Sequence, residues 1–209
     1  MIGIIGAGGH AKVIADIISC GQGEEPMAYF SAGLPPAWAN RAAHYRDNEE
    51  QLLALRASVK GWHVAIGNPA VRKHKLEWLI AYGFPVIQAV HERSVRAESS
   101  VLGEGASVMA GAVINPYAAV GRGCIVNTAS SVDHDCRIGP YVNIGPGCRL
   151  SGGVKVGELS ELGAGVIVIP GVTIGKRCVI GAGAVVIDNI PDHSVAVGVP
   201  ARIIKRSSN

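Results

Sequence analysis

Val120 to Leu150 reads VGRGCIVNTASSVDHDCRIGPYVNIGPGCRL, and an aliphatic residue returns at every sixth position: Val120, Val126, Val132, Ile138, Ile144 and Leu150. Followed outward, the same step runs back through Ile114 and Val108 to Leu102. It runs forward through Val156, Leu162, Val168, Ile174 and Ile180 to Val186, without an exception. Four residues after each stands a small or β-branched residue almost every time, as at Ala106, Ala112, Cys124, Ser130, Cys136 and Val142, and glycine often follows the aliphatic residue directly. A helix repeats every 3.6 residues and a strand every 2, so neither produces this register. Short strands joined by tight turns do. Three hexapeptides close one coil, and successive coils stack about 4.8 Å apart through strand hydrogen bonds. The period predicts an all-β parallel helix of hexapeptide type, with roughly five coils between residues 102 and 191.

This register also accounts for most of the cysteines. Cys124, Cys136, Cys148 and Cys178 all take the small inward place. The pair that shares a face, Cys124 and Cys178, is three coils or roughly 14 Å apart, too far for a disulfide or a shared metal. They read as core filling, and the odd total of 5 cysteines fits a reducing compartment.

Composition narrows the function classes. Aromatics are 5% of the chain while glycine numbers 28, which suits narrow β coils. A net charge of +3 without basic residues interleaved with aromatics argues against a nucleic-acid partner. The start, MIGIIGAGGHAKV, has no basic leader region, and no apolar run approaches the roughly 18 residues of a membrane span. The expectation is a soluble, cytoplasmic protein without membrane contact.

Residues 1–88 follow another pattern. MIGIIG reads as a buried strand, AKVIADIIS as an amphipathic helix, GWHVAIGN as a strand, PAVRKHKLEWLIAYGF as a helix opened by Pro69, and PVIQAV as a strand leading into the coils. Such alternation predicts a short Rossmann-like parallel α/β sheet, too small for a full dinucleotide fold. Between Gly21 and Asn48 the pattern is poor, and Pro35 and Pro36 mark a loop. Gly6, Gly8 and Ala11 approximate a glycine-rich turn that lets a pyrophosphate reach a helix N-terminus, and they equally suit a tight turn with no ligand. The domain reading is 1–88 α/β, 89–191 β-helix and 192–209 a C-terminal tail. In that tail Arg202, Lys205 and Arg206 either meet coenzyme phosphates or are merely solvated.

One cluster departs from the apolar coils. Asp133, His134 and Asp135 adjoin, and His134 is the only histidine between Leu102 and Pro191. It falls two residues after an inward Val132, at a turn and pointing outward. A carboxylate beside an imidazole fixes its tautomer and stabilises its charged form, as a general base requires. Asn127, Thr128 and Ser131 supply hydrogen-bonding groups just upstream, and Asp133 reads as a solvated turn residue.

GAGGHAKV at 6–13, NTASSVDHDCRIG at 127–139, SGGVKVGELSELGAGVIVIPGVTIG at 151–175 and VGVPARIIK at 197–205 resemble the NeuD/PglD-type sugar O- and N-acetyltransferases. The resemblance covers nearly the whole chain. It implies left-handed coils, a homotrimer and acetyl-CoA as acyl donor, held in a groove between neighbouring β-helices. His134 would be the general base and Asp135 its orienting partner. The Gly152 N–H would meet the acetyl oxygen, and Ala164 and Ala182 would flank the pantetheine arm. Asn143 stands where many relatives place a second histidine near the thioester. Gly8, Gly9 and His10 would touch the nucleotide part of the acceptor; Asn127, just upstream of the cluster, is a further candidate substrate contact. The activity implied is acetylation of a sugar in polysaccharide biosynthesis, foremost the amine of a UDP-4-amino-sugar, with a sialic acid hydroxyl as the alternative. Relatives that bind uridine nucleotides usually carry acidic residues after the second strand, where this chain has Tyr29, Phe30, Ser31 and Ala32.

Two rivals fit the scaffold. A zinc hydratase on such coils needs three converging histidines and an open coordination position, which one histidine does not supply; no metal is expected. A non-catalytic nucleotide-binding trimer would share the repeat, and the HDC triplet together with Gly152 is what separates it from an enzyme.

Overall fold

The computed structural model describes residues 1–22, 27–33, 37–39 and 42–206, so the loop at Pro35 and Pro36 and the last residues of the tail, 207–209, lie outside the described residues. The chain forms two compact units, Met1–Glu92 and Arg93–Asn209, the change falling after Glu92 where the sequence pattern places it after residue 88.

In the first unit, β1 (Ile2–Ile5), β2 (Met27–Ser31), β3 (Ala43–Arg46) and β4 (Gly61–Val64) form a parallel sheet in the order β3-β2-β1-β4. All of β1 and β4 is buried, because helices α1 (Gly9–Gln22) and α3 (Pro69–Ala81) accompany the sheet. Ile14, Ile17 and Ile18 form the buried stripe of α1 at helical spacing. Trp62 anchors the core with Phe30 and Phe84 at ring distances of 4.8 and 5.2 Å. Gly3 makes room for that indole, since a Cβ there would lie 2.7 Å from it. Asn68 caps α3 by accepting from the Val71 N–H at 3.0 Å, and Pro69 opens the helix as expected. The poorly patterned stretch contains β3 and, just beyond it, α2 (Glu49–Leu55). Neither shows in the sequence, because β3 is an edge strand with no fully buried residue and α2 buries only Leu52. PVIQAV is not one continuous strand. It makes a single bridge from Val86 to Trp62 and then the two-residue strand β5 (Ala89–Val90).

The second unit is the predicted β-helix, of left-handed hexapeptide type. From Val95 to Val186 its strands are two residues long and parallel. The first face carries Ser107–Val108, Ile125–Val126, Asn143–Ile144, Glu161–Leu162 and Val179–Ile180. The second carries Val95–Arg96, Val113–Ile114, Ser131–Val132, Arg149–Leu150, Ile167–Val168 and Val185–Val186. The third carries Val101–Leu102, Ala119–Val120, Arg137–Ile138, Lys155–Val156 and Thr173–Ile174. From Val108 to Val186 every sixth aliphatic residue is buried, each contributing about 2 kcal/mol of hydrophobic stabilisation.

Coiling starts earlier than the pattern suggests, at Val95–Arg96, where arginine occupies the aliphatic place and hides the repeat. It also ends later. Ser194–Val197 pairs with Val179–Ile180, and Arg202–Arg206 returns antiparallel to it, so much of the segment read as a tail is ordered strand with an exposed edge.

Every turn from Gly105 to Gly183 places a residue with positive φ three positions after the aliphatic one. The glycines directly after the aliphatic residues answer a different need. A Cβ on Gly163, for example, would stand 2.6 Å from the Ala182 backbone nitrogen in the next coil.

The inward cysteines are buried and free as expected. Each also ties one coil to the chain ahead, the Sγ of Cys124, Cys136 and Cys148 donating to the carbonyls of Gly139, Ser151 and Gly163 at 3.0, 3.2 and 3.1 Å. Burial holds the thiols of Cys136, Cys148 and Cys178 above their ordinary pKa, which keeps them protonated donors. Among the described residues no helix is long and apolar enough to cross a membrane.

Candidate active site

The corner between the second and third faces carries His134. Asp135 takes the left-handed place of that turn at φ 58°, a conformation aspartate tolerates, and the turn brings its carboxylate beside the ring. His134 Nδ1 and Asp135 Oδ2 are 2.8 Å apart. With a carboxylate at that nitrogen, the proton of the neutral ring sits on Nδ1 and the lone pair on Nε2. The imidazole points outward, its side chain 61% exposed. The Asp135 hydrogen bond, followed by the Asp133 charge, holds its pKa above the ordinary histidine value.

Asp133 is not the loosely solvated residue the sequence suggests. Its Oδ1 accepts from the His134 backbone N–H at 2.8 Å and from Asn115 Nδ2, also at 2.8 Å, so it fixes the turn that bears the base. Asn115 was not among the residues expected from sequence. It lies one coil below Asp133, and counting back by one coil length from the cluster is the signal that finds it.

Gly152 occupies the same corner one coil above. A Cβ on it would stand 2.5 Å from His134 Nε2 and 2.6 Å from Cε1, so the imidazole edge lies directly over this glycine. The Gly153 N–H donates to the His134 carbonyl at 2.9 Å and binds the two turns together. Pro116, Pro140, Pro146 and Pro170 occupy the equivalent place in other turns, so the coil does not need an N–H there. Gly152 retains one, and among the described residues that N–H donates to no backbone carbonyl, while the Gly152 carbonyl accepts from the Gly171 N–H at 3.0 Å.

The other expected residues lie elsewhere. Ala164, Ala182 and Asn127 are on the corner between the first and second faces, where the Gly183 N–H donates to the Ala164 carbonyl at 2.8 Å. Asn127 Oδ1 accepts from the Thr128 N–H at 2.8 Å, so that oxygen serves its own turn. Asn143 is on the first face, its Nδ2 donating to Glu161 Oε2 at 3.1 Å. Within one chain, therefore, His134 and Gly152 come together, and Asn127, Asn143, Ala164 and Ala182 do not join them. A concavity of about 590 Å³ on the third face, lined by Val101, Ala119, Arg122 and Arg137 among others, holds none of these residues.

In the α/β unit, Gly6 is required by the fold: its φ is 116° and a Cβ would lie 2.6 Å from the Ala65 carbonyl oxygen. Gly8 and Gly9, at the start of α1, are exposed, and a Cβ on either would meet nothing within 4 Å. Packing does not dictate these two glycines, and they leave the helix N-terminus open to an anion. Below them sits a buried basic group. Burial pushes His63 down to about 4 even though Ile87 O lies 3.0 Å from its Nδ1. Burial, then the nearby His63 and Arg72, pushes His10 down to about 3. His10 Nε2 is buried with no partner among the described residues. Arg72, 1% exposed, donates to the carbonyls of Ile66 and Gly67 at 2.7 and 2.8 Å. His63 and Arg72 escaped the sequence reading because nothing periodic links them to His10.

The repeated coils with an outward histidine define a hexapeptide acyltransferase, and comparisons agree. Residues 1–79 match the PglD N-terminal domain, and 135–170 and 153–188 match the bacterial transferase hexapeptide model. No match was found among the curated proteins. Among solved structures, PerB from Caulobacter crescentus in complex with CoA and GDP-perosamine is 40% identical, with TM-score 0.89 over 98% of this chain and 97% of that one. The acetyltransferase domain of PglB from Neisseria gonorrhoeae FA1090, in complex with acetyl coenzyme A, is 32% identical, with TM-score 0.91 over 97% and 98%. WeeI from Acinetobacter baumannii AYE is 25% identical, with TM-score 0.89 over 98% and 99%. The chain belongs to the family of PglD-type hexapeptide sugar acetyltransferases, and it is an acyltransferase.

Proposed function

We propose that the protein transfers an acetyl group from acetyl-CoA to the amine of a nucleotide-linked amino sugar. The observation that carries this reading is the outward imidazole whose Nε2 lies over Gly152, a residue with a spare backbone N–H. His134 Nε2 takes the proton from the sugar amine as the nitrogen attacks the thioester carbonyl. The Gly152 N–H stabilises the oxyanion of the tetrahedral intermediate, which collapses to the amide and releases the CoA thiol. Asp135 holds the ring tautomer and offsets the positive charge that develops on it.

The α/β unit takes the nucleotide part of the acceptor, its diphosphate at the open N-terminus of α1 by Gly8 and Gly9, with His10 beneath. The family resemblance implies a UDP-sugar. GDP-perosamine in the 40%-identical relative moves the preference to a GDP-linked 4-amino sugar; Tyr29 and Phe30 lie within β2 and are buried, so they take no part in that choice. The sialic acid hydroxyl is not carried forward, because the characterised likeness is to amine acetylation.

The remaining residues act in a homotrimer. Ala164 and Ala182 sit on a different corner from His134, so they flank a pantetheine arm reaching the base only if the second corner comes from a neighbouring copy. The third face and the turn leading into it, with Val101 63% and Tyr117 65% exposed, supply apolar surface for that contact. Acetyl-CoA and sugar nucleotides are cytoplasmic metabolites, and we place the enzyme there. A thiol-release assay with acetyl-CoA against GDP- and UDP-linked amino sugars, sialic acids and simple amines tests the proposal. The expected result is turnover confined to nucleotide-linked amines and lowered about 10²–10⁴-fold in His134→Ala, with CoA binding retained. Equal rates on simple amines would remove the role given to the α/β unit, and unchanged turnover in His134→Ala would remove the base.

A further inference from the structure

We infer that the α/β unit binds a zinc-type divalent ion on Asp16, Cys20 and His91, separate from the acyl-transfer chemistry. One ligand atom from each of these residues lies within 4.8 Å of the other two. Asp16 and Cys20 are one turn apart on the exposed side of α1, so the helix presents a carboxylate and a thiol to the same point. His91 arrives from the far end of the unit. It directly follows β5, whose Ala89 is 1% exposed and whose backbone packs against α1, so the imidazole is delivered to the helix by buried structure.

A solvated helix face explains a carboxylate and a thiol at this spacing. The packing of β5 on α1 brings a histidine to the same point, so three different donor types from two segments converge. The electrostatics favour a cation as well: the cluster lies towards the C-terminal end of α1, where the helix dipole is negative, and the last turn contains no basic residue.

The donor set selects the metal. Thiolate, imidazole and carboxylate suit zinc, with water completing a tetrahedron, whereas calcium and magnesium require oxygen ligands. The ligand is the thiolate, so binding releases the Cys20 proton to solvent. The bound ion ties the last turns of α1 to the segment in which the unit ends.

Cobalt(II) serves as the spectroscopic probe, added to the tag-free, full-length chain after chelator treatment. The expected result is one ion per chain, with a thiolate-to-cobalt charge-transfer band that zinc abolishes by displacement. Cys20→Ser removes the band, and Asp16→Asn and His91→Ala each weaken binding about tenfold or more. Acetyl transfer by Cys20→Ser is unchanged. The other four cysteines are buried and Cys20 is exposed, so alkylation gives a second readout, and zinc should slow the reaction of iodoacetamide at Cys20. A band that survives in Cys20→Ser, binding indifferent to His91→Ala, or an alkylation rate unaffected by zinc overturns the inference.

Discussion

Replacing Gly152 with alanine separates catalysis from folding at a single atom. The added Cβ would stand 2.5 Å from His134 Nε2, and ordinary contact begins near 3.4 Å, so the imidazole must withdraw by about 0.9 Å. It is free to do so, because the side chain is 61% exposed, and the three atoms nearest the added Cβ all belong to this movable ring. The coil should therefore remain intact, with a melting temperature within about 3 °C of the parent. Catalysis should not survive as well. A misplacement near 1 Å costs on the order of 100-fold in rate, or about 2.7 kcal/mol of barrier. Thiol release would be followed under saturating acetyl-CoA and a GDP-linked 4-amino sugar, with CoA affinity measured in parallel by calorimetry. A fully active Gly152→Ala enzyme with an unchanged fold would refute the juxtaposition of imidazole and glycine as the seat of the chemistry.

Three further outcomes follow from the same geometry. Asp135→Asn removes the largest cause of the raised His134 pKa; a base works unprotonated, so the acidic limb of the pH–rate profile should move to lower pH while the plateau falls at least about tenfold. A limb that stays in place would show that another group titrates. Gly163→Ala meets the Ala182 backbone nitrogen at 2.6 Å rather than a movable ring, so it should cost about 1–3 kcal/mol of stability in denaturant melts followed by circular dichroism, and a melt like the parent's would contradict the close coil contact. Finally, His10 and His63 have depressed pKa values, about 3 and about 4, against an ordinary 6.5. The unfolded chain therefore binds more protons below pH 6.5. Stability of the α/β unit should fall as pH drops from there towards 4, by up to about 1.4 kcal/mol per pH unit for each histidine. Trp38, Trp62 and Trp78 all lie in this unit, so tryptophan fluorescence reports its unfolding alone, and a flat profile between pH 6.5 and 4 would mean that neither histidine is buried uncharged.

The chain order alone determined the coils, their inward aliphatic and cysteine residues, and the outward His134. A solenoid permits this because its contacts are local along the stack: each residue meets the one a full coil away, so a six-residue period implies the tertiary neighbours before any coordinates exist. The same arithmetic reaches Gly152 above His134 and Asn115 below Asp133, although only the coordinates revealed that Asp133 is held rather than solvated. Tertiary structure decided the rest. The group formed by His10, His63 and Arg72, the convergence of Asp16, Cys20 and His91, the edge strand β3 and the short helix α2 depend on contacts between segments at unrelated separations. In the α/β unit, strand order and helix packing bring distant residues together, and no periodicity in the sequence encodes which ones meet. The coil arithmetic also separates Ala164 and Ala182 from His134, since neither is a whole number of 18-residue coils away, and that separation is the reason a second copy enters the proposed site.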